Sequence, residues 1–211
     1  RLTMTLAQYA MMLIIGWQTY NIARDSGLGV AEASGQLALI GLLQFVPLFL
    51  LTPFSGWAAD HFDRRNVARL TMLAQLGCAA TLTWFTWSET LTITALFGVA
   101  IVLGIVRAFN GPALSALAPN LVPKTILPNA IALSSIAWQT GMIVGPAIGG
   151  YTHAIYPALP YAFACVLFGV AITALSFIGK VPQPPREANK RPIHQMVEGL
   201  RYVVHNKMVL G

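Results

Sequence analysis

GWAADHFDRR, residues 56–65, lies where one long apolar run ends and the next begins, and this junction decides the kind of fold. The run that it closes covers residues 35–59, and the run that follows covers residues 67–87. A helix needs about 20 mostly apolar residues to cross the hydrocarbon core of a bilayer. Both runs reach that length, so the charged end of this stretch is predicted to be a short loop at a membrane surface.

Six such runs divide the chain. They cover residues 2–22, 35–59, 67–87, 91–116, 130–151 and 159–179. The runs are continuously apolar and much longer than the alternating segments of a membrane β-barrel, which excludes strands as the spanning element. The sequence therefore predicts an all-α polytopic membrane protein with six transmembrane helices.

The composition points to a lipid bilayer as the surrounding medium. Hydrophobic residues make up 56% of the chain and charged residues 9%, whereas soluble domains carry roughly 25% charged residues. The net charge of +6 could suit nucleic acid, but the basic residues collect between the apolar runs instead of along one face. We therefore expect the lipid bilayer, and no nucleic acid, as a partner.

The basic residues also orient the helices, because cytoplasmic loops of membrane proteins carry an excess of Lys and Arg. Arg24 is the one basic residue in the loops on one side. Eleven lie on the other side: Arg1, Arg64, Arg65, Arg69, Lys124, Lys180, Arg186, Lys190, Arg191, Arg201 and Lys207. This asymmetry predicts that both ends of the chain are cytoplasmic.

The character of the sequence changes after residue 179. Residues 180–192 are rich in proline and charge, and apolar residues then recur at helical spacing between Ile193 and Val204. We expect a membrane bundle over residues 1–179, then a cytoplasmic linker with an amphipathic helix over residues 180–211. The chain begins without Met and stops as another apolar run starts, so we expect a second half beyond it.

The loop that follows the second run carries the most specific motif. Gly56, Asp60, Arg64 and Arg65 stand at the spacing of the signature loop of the major facilitator superfamily, Gly-x-Leu-Ala-Asp-x-x-Gly-Arg-Arg/Lys, which this loop closely resembles. Ordinary topogenic charge explains the two arginines but neither Gly56 nor Asp60. The resemblance implies that Asp60 clasps the other half of a transporter and acts in a conformational switch.

This loop departs from the family pattern at three positions. Ala58 stands where the family has Leu, and Asp63 stands at the second Gly. The commonly basic position after the aspartate holds His61, a weaker cation.

The fifth run contains GMIVGPAIGG, residues 141–150. Gly141, Gly145, Pro146, Gly149 and Gly150 resemble the antiporter motif of the same superfamily, Gly-x-x-x-Gly-Pro-x-x-Gly-Gly. Glycines four residues apart let a neighbouring helix approach closely, and proline bends its own helix. A generic small-residue packing face would share the glycine spacing alone. The full match implies an exporter in preference to a sugar importer.

The fourth run contains an arginine, which is unusual at membrane depth. Arg107 to Gly111 resembles the family's Arg-x-x-x-Gly motif, and a charge inside a span suggests function by default. The alternative is an arginine that extends its side chain to the cytoplasmic interface. Residues 104–150, together with residues 199–203, look most like the subgroup that holds enterobactin exporters and macrolide-efflux proteins.

Five amides inside the spans are candidates for a central cavity. Gln18 and Asn21 lie in the first run, Gln44 in the second, Asn110 in the fourth and Gln139 in the fifth. The resemblance implies that helices 1, 2, 4 and 5 line the cavity, where these residues and Arg107 would serve substrate or coupling. Each amide is equally well explained as a hydrogen-bonding group between helices.

The resemblance as a whole implies two inverted three-helix repeats, which form half of a twelve-helix transporter with a C-terminal half of the same polypeptide. The resemblance implies a protein of the bacterial inner membrane that exports drug- or siderophore-like small molecules by alternating access with proton coupling. One feature departs from proton-coupled exporters: the first run holds no deep carboxylate. The coupling acid is then Asp25, Glu32 or a residue of the other half.

Three alternatives remain beside this hypothesis. An importing facilitator has the same fold, but the motif of the fifth run argues against it. A membrane enzyme needs clustered His, Asp or Glu at membrane depth, which the sequence lacks, so we expect no catalytic residue, metal or cofactor. A six-helix homodimer is the third alternative.

Overall fold

The computed structural model describes residues 1–123 and 125–177, and this part of the chain forms six α-helices. They are α1 (Leu2–Asp25), α2 (Val30–His61), α3 (Arg64–Trp87), α4 (Ile93–Leu121), α5 (Leu127–Ile155) and α6 (Leu159–Phe177). The prediction of an all-α fold is confirmed for these residues. The predicted linker and its amphipathic helix lie outside the described part.

Helices α1 to α5 are longer than the apolar runs that predicted them, and local capping sets the start of α2 and of α3. The second helix begins at Val30, five residues before the predicted start, where the backbone N–H of Gly29 donates to Glu32 Oε2 at 2.9 Å. The third begins after Asp63, whose carboxylate accepts from the N–H of Arg65 at 2.9 Å. An N-cap of this kind satisfies a helix N–H that has no partner inside the helix.

The helices associate in two especially close pairs, α1 with α5 and α2 with α4. Around them α3 packs on α4 and α6, while α1 also packs on α6. If α1, α2 and α3 are taken to correspond to α4, α5 and α6, the pair α1–α5 corresponds to α4–α2. In the same way, the pair α1–α6 corresponds to α4–α3. The strongest contacts of the bundle therefore repeat between its first and second three helices.

The buried core lies on α1, α3, α4 and α6. Ile15, Leu82, Leu96 and Phe168, one from each of these helices, are completely buried. In contrast α2 and α5 turn many large apolar side chains outward, and Ile143 of α5 remains 69% exposed. A surface this apolar is typical of a protein that faces lipid or another large partner.

Four helices are long and apolar enough to cross a membrane within the described residues. These spans are Val30–Gly56, Ile93–Gly111, Leu127–Ile155 and Leu159–Phe177. The remaining two, α1 and α3, are also 24 residues long but carry more polar groups. Gln18 and Gln75 on these helices are both buried inside the bundle. Part of their polarity is thus turned inward. The prediction of six helices able to span a membrane is confirmed, by length and composition, for four.

Candidate functional site

An open groove of about 650 Å³ runs along α1 between α2 and α5. We call it the apolar groove; its lining residues are Tyr9, Met12, Leu13, Gly16, Trp17, Tyr20, Leu37, Met142 and Pro146. The α1 residues recur at helical spacing, so they form one continuous stripe. The volume falls in the range of ~300–1,000 Å³ that is typical of small-molecule sites.

A second groove of about 280 Å³ adjoins the first. The two share Met12, Gly16 and Leu37, and the second also contacts Gln44 and Arg107. We call it the arginine groove. An apolar surface and a cationic group are thereby connected through one open space.

The guanidinium of Arg107 is half-buried and donates to Gln44 Oε1 at 3.3 Å. Within the described part of the chain, Gln44 is the one group to which Arg107 is hydrogen-bonded. Arg107 stands 14 residues after the start of α4 at Ile93, which places it about 21 Å along the helix axis. The arginine therefore lies deep in the bundle, and a neutral amide holds it.

A small cavity of about 10 Å³ lies on the inner side of Arg107, with Gln8, Gln44 and Gln75 in its wall. The Oε1 atom of Gln75 is buried and has no hydrogen-bond partner among the described residues. Buried amide oxygens normally accept a hydrogen bond. Together with Arg107, these three glutamines form a polar centre at the meeting point of α1, α2, α3 and α4.

The glycines of α5 form the closest contact with α1. Gly141, Gly145 and Gly149 are buried, and a Cβ atom at each would approach α1 to within 2.6, 2.9 and 2.9 Å respectively. At Gly145 and Gly149 the nearest α1 atoms are backbone oxygens, which cannot move aside without shifting the helix. A Cβ at Gly150 would instead meet Leu13 Cδ2 at an ordinary 3.9 Å. Three of the four motif glycines are thus required by space.

A matching contact joins the other close pair. A Cβ atom at Gly104 of α4 would overlap the backbone carbonyl of Gln44 on α2. The same residue whose side chain holds Arg107 therefore sits where α2 and α4 touch. The backbone contact and the side-chain hydrogen bond fix the arginine relative to both helices.

The signature-loop residues lie at the junction of α2 and α3. Gly56 and Asp60 fall in the last turns of α2, and the side chain of Asp60 lies outside what the structure describes. Arg64 is the first residue of α3. The guanidinium of Arg65 donates to the backbone oxygen of Ser176 at 2.7 Å. A cation at the C-terminal end of α6 also faces the negative end of that helix dipole.

Two of the predicted cavity amides bind neighbouring helices. Gln18 is buried and accepts a hydrogen bond from the hydroxyl of Tyr161 on α6 at 2.7 Å. Asn110 is buried and accepts from Thr71 Oγ1 on α3 at 3.3 Å, while its amide nitrogen lies 3.4 Å from Met4 Sδ. Hydrogen bonding between helices, the alternative for each amide, fits these two.

The other predicted cavity residues differ in position. Gln44 and Arg107 lie together in the arginine groove. Asn21 is half-buried near the end of α1, and Gln139 is exposed on α5. Their roles in binding or coupling stay predictions.

Sequence reasoning missed the aromatic stripe of α1. Tyr9, Trp17 and Tyr20 were part of an apolar run and carried no motif, yet with Met12 and Gly16 they form the wall of the apolar groove. Their spacing of three and four residues was a usable signal for one helix face. What could not be seen was that no other helix covers this face within the described bundle.

Comparison with known families now adds to this geometry. A family model described as transmembrane secretion effector, of the major facilitator type, matches residues 15–210. The chain belongs to this family. It is therefore an integral membrane protein of a transporter family.

Curated relatives agree with the family. The chain is 28% identical over 157 residues to the staphyloferrin A transporter of Staphylococcus aureus. The matched region covers 73% of this chain and 40% of that protein. It is 25% identical over 175 residues to macrolide efflux protein A of Streptococcus pyogenes, covering 81% and 43%. It is 28% identical over 150 residues to the class E tetracycline resistance protein of Escherichia coli, covering 71% and 35%. The chain thus matches less than half the length of these relatives.

Proposed function

We propose that this chain is the N-terminal half of a secondary active exporter of small molecules, which works by alternating access with a second half of the same polypeptide. The observation that carries the proposal is the pair of connected grooves between α1, α2, α4 and α5, with an arginine at their inner end. The names of the macrolide and tetracycline relatives support outward transport. So does the glycine motif of α5, which packs as a complete stripe on α1.

This proposal includes the arrangement of the bundle as six membrane-spanning helices in two inverted three-helix repeats. The repeated contact pattern supports it, since α1–α5 and α4–α2 are equivalent under exchange of the two triplets. The position of α1 supports it as well, because α1 packs against all four of the described helices that are apolar enough to cross a membrane. At 24 residues, α1 extends about 36 Å, which suffices for a core of about 30 Å.

We place the protein in the bacterial inner membrane, with the α2–α3 loop in the cytoplasm. A cysteine introduced at Asn66 should resist an impermeant thiol reagent in intact cells, whereas one at Thr90 should react, in a background where Cys78 and Cys165 are serine. Both chosen residues are exposed. Labelling of Asn66→Cys without labelling of Thr90→Cys would reverse the orientation.

We assign different roles to the polar residues within this mechanism. Arg107 and Gln44 face the grooves and are the best candidates for contact with substrate. Asp60 is assigned to the conformational switch with Gly56, Arg64 and Arg65 on the basis of the family resemblance. Loss of a charge contact worth about 1 kcal/mol would visibly shift a carrier whose two states differ by a few kcal/mol.

Proton coupling is the proposed source of energy. The sequence has no Asp or Glu among residues 1–24 or 33–59, so the groove side of α1 and α2 offers no acid to carry the proton. The remaining candidates are Asp25, Glu32 or a residue of the other half. Asp25 ends α1, and Glu32 lies in the first turn of α2.

An accumulation experiment tests the direction of transport. Cells that lack their main efflux systems would express the complete gene product and be loaded with erythromycin or tetracycline. We expect lower steady-state accumulation with the wild-type protein, loss of the difference on addition of a protonophore, and no difference with Gly145→Leu. Higher accumulation with the wild type would establish import instead. An equal level across a broad panel of drugs and siderophores would contradict export of this class of solute.

A further inference from the structure

We propose that the two grooves select an amphipathic solute that carries an anionic group, in the simplest case a carboxylate, with Arg107 as its charge partner. The apolar groove would hold the body of the solute and the arginine groove its charged end. This inference rests on the proposed function, since it names the class of solute that the same grooves take.

The charge balance of the grooves favours an anion. Among the residues that the structure describes, Arg107 is the one charged residue in the lining of either groove. The chain has no Asp or Glu in residues 33–59 or 90–186, which include most of α2 and all of α4 and α5. Asp25, Glu32 and Glu89 are exposed at the opposite ends of the helices. A half-buried guanidinium inside a membrane span has lost part of its hydration, so an anion that enters the groove offsets this loss and a cation adds to it.

The hydrogen-bonding groups point to the same class. A guanidinium has five N–H donors, in a planar fork that matches a carboxylate. The one bond that Arg107 makes in the described chain uses the oxygen of the Gln44 amide. The amide nitrogen of Gln44 is a further donor beside it. In the arginine groove the remaining guanidinium N–H groups and the Gln44 amide nitrogen are donors, which suits a ligand group that only accepts, and an ionised carboxylate is such a group.

The apolar groove supplies surface for the rest of the solute. The aromatic side chains of Tyr9, Trp17 and Tyr20 lie along one face of α1. Apolar contacts that adapt to the shape of a solute come from Met12 and Met142. Aromatic faces also attract cations, so cationic amphiphiles are the competing class. Arg107 decides between the two, because the grooves are continuous and its like charge opposes a cation at the inner end.

Three matched probes separate these classes: dansylglycine, which is anionic, dansylglycinamide, which is neutral, and the dansyl derivative of ethylenediamine, which is cationic. Their binding to the purified complete gene product is measured by the rise in dansyl emission. Energy transfer from Trp17, tested against Trp17→Phe, shows that the probe lies in the apolar groove. We expect dansylglycine to bind about tenfold more tightly than the amide, and the amine to bind most weakly.

Substitutions assign the preference to Arg107. Arg107→Gln should weaken dansylglycine about tenfold, to the level of the amide. It should leave the amide within about twofold and strengthen the amine toward the level of the amide, because the like charge is gone. Arg107→Lys should keep part of the preference, because it retains the charge without the fork. Arg24→Gln removes an equal charge outside both grooves and should change nothing.

The outcomes separate this inference from the direction of transport. A carboxylate preference that Arg107→Gln abolishes supports the inference, whether cells show export or import. Equal binding of the three probes, tighter binding of the amine, no binding of dansylglycine up to its solubility limit, or a preference unchanged in Arg107→Gln would overturn it. If the preference is unchanged in Arg107→Gln, the charge partner of the carboxylate lies elsewhere in the protein.

Discussion

The two sides of α1 differ in how closely a neighbouring helix approaches. On the side of α5, Gly145 and Gly149 bring the two backbones so near that a single Cβ would meet a carbonyl oxygen of α1 at 2.9 Å. On the side of α2, Trp17 and Tyr20 stand in an open groove of about 650 Å³. Small residues of α5 thus form a seam with α1, and large residues of α1 line the open groove on its other side.

This difference divides the groove-lining helices into two pairs. One pair is α1 with α5, joined by the glycine seam, and the other is α2 with α4, joined where Gly104 meets the backbone of Gln44. The two grooves lie between the pairs. Within each pair the backbones touch, whereas the grooves leave open space between the pairs.

The largest expected effect comes from closing space in the α1–α5 seam. Gly145→Ala places a methyl group against Leu6 O and Tyr9 Cβ, at 2.9 and 3.0 Å, and overpacking of this kind costs about 1–3 kcal/mol. We expect a clear drop in the melting temperature of the purified complete protein and loss of most export. Gly150→Ala is the matched control, since its Cβ would make only an ordinary contact. Similar behaviour of both variants would show that the seam is no tighter than its surroundings.

The second effect concerns the α2–α4 pair and should be nearly as large. Gly104→Ala would drive a methyl group into the Gln44 backbone, whereas Gly98→Ala, two turns earlier on the same helix, meets nothing within 4 Å. We expect the first variant to lower both thermal stability and the affinity for dansylglycine, because Gln44 positions Arg107. The Gly98→Ala variant should match the wild type in both measurements. If Gly104→Ala binds dansylglycine as tightly as the wild type, the position of Arg107 does not depend on the contact between α2 and α4.

The smallest effect is expected in the groove itself. A Cβ at Gly16 would meet Leu37 Cδ1 at 3.1 Å, and the end of a leucine side chain can rotate away. Gly16→Ala should therefore leave stability unchanged but narrow the space shared by the two grooves, and we expect binding of the dansyl probes to weaken a few-fold. Equilibrium titration of the three probes tests this. A loss of stability as large as that of Gly145→Ala would remove the distinction between seam and groove.

Much of the fold could be predicted because its signals are local. Apolar runs of about 20 residues mark spanning helices, and the glycine spacing at 141, 145 and 149 marked a close helix contact without naming its partner. The ends were less predictable, since α2 extends to Val30 through a capping contact of Glu32. Hydropathy alone was also insufficient for α1 and α3, because their polar residues lower the mean hydropathy of helices that pack inside the bundle.

The site was predicted only in part, because it depends on contacts between residues far apart in sequence. Gln18 and Tyr161 are separated by 143 positions, and no spacing within α1 indicates that they bond. Gln44 and Arg107 were both chosen from their presence inside a span, but their mutual hydrogen bond required the register of α2 on α4. The spacing of the aromatic stripe of α1 could be recognised in the sequence, but its exposure depends on where α2 and α5 lie.

The central proposal is that the grooves form part of a solute path that opens and closes by alternating access with a second half of the same polypeptide. It is tested most directly by the rate at which an impermeant thiol reagent labels Tyr20→Cys from outside intact cells, in the complete protein with Cys78 and Cys165 changed to serine. We predict that this rate changes several-fold when a protonophore collapses the proton gradient, while the rate at Thr90→Cys in the α3–α4 turn does not. An equal rate at Tyr20→Cys in energised and de-energised cells would show that the groove does not alternate.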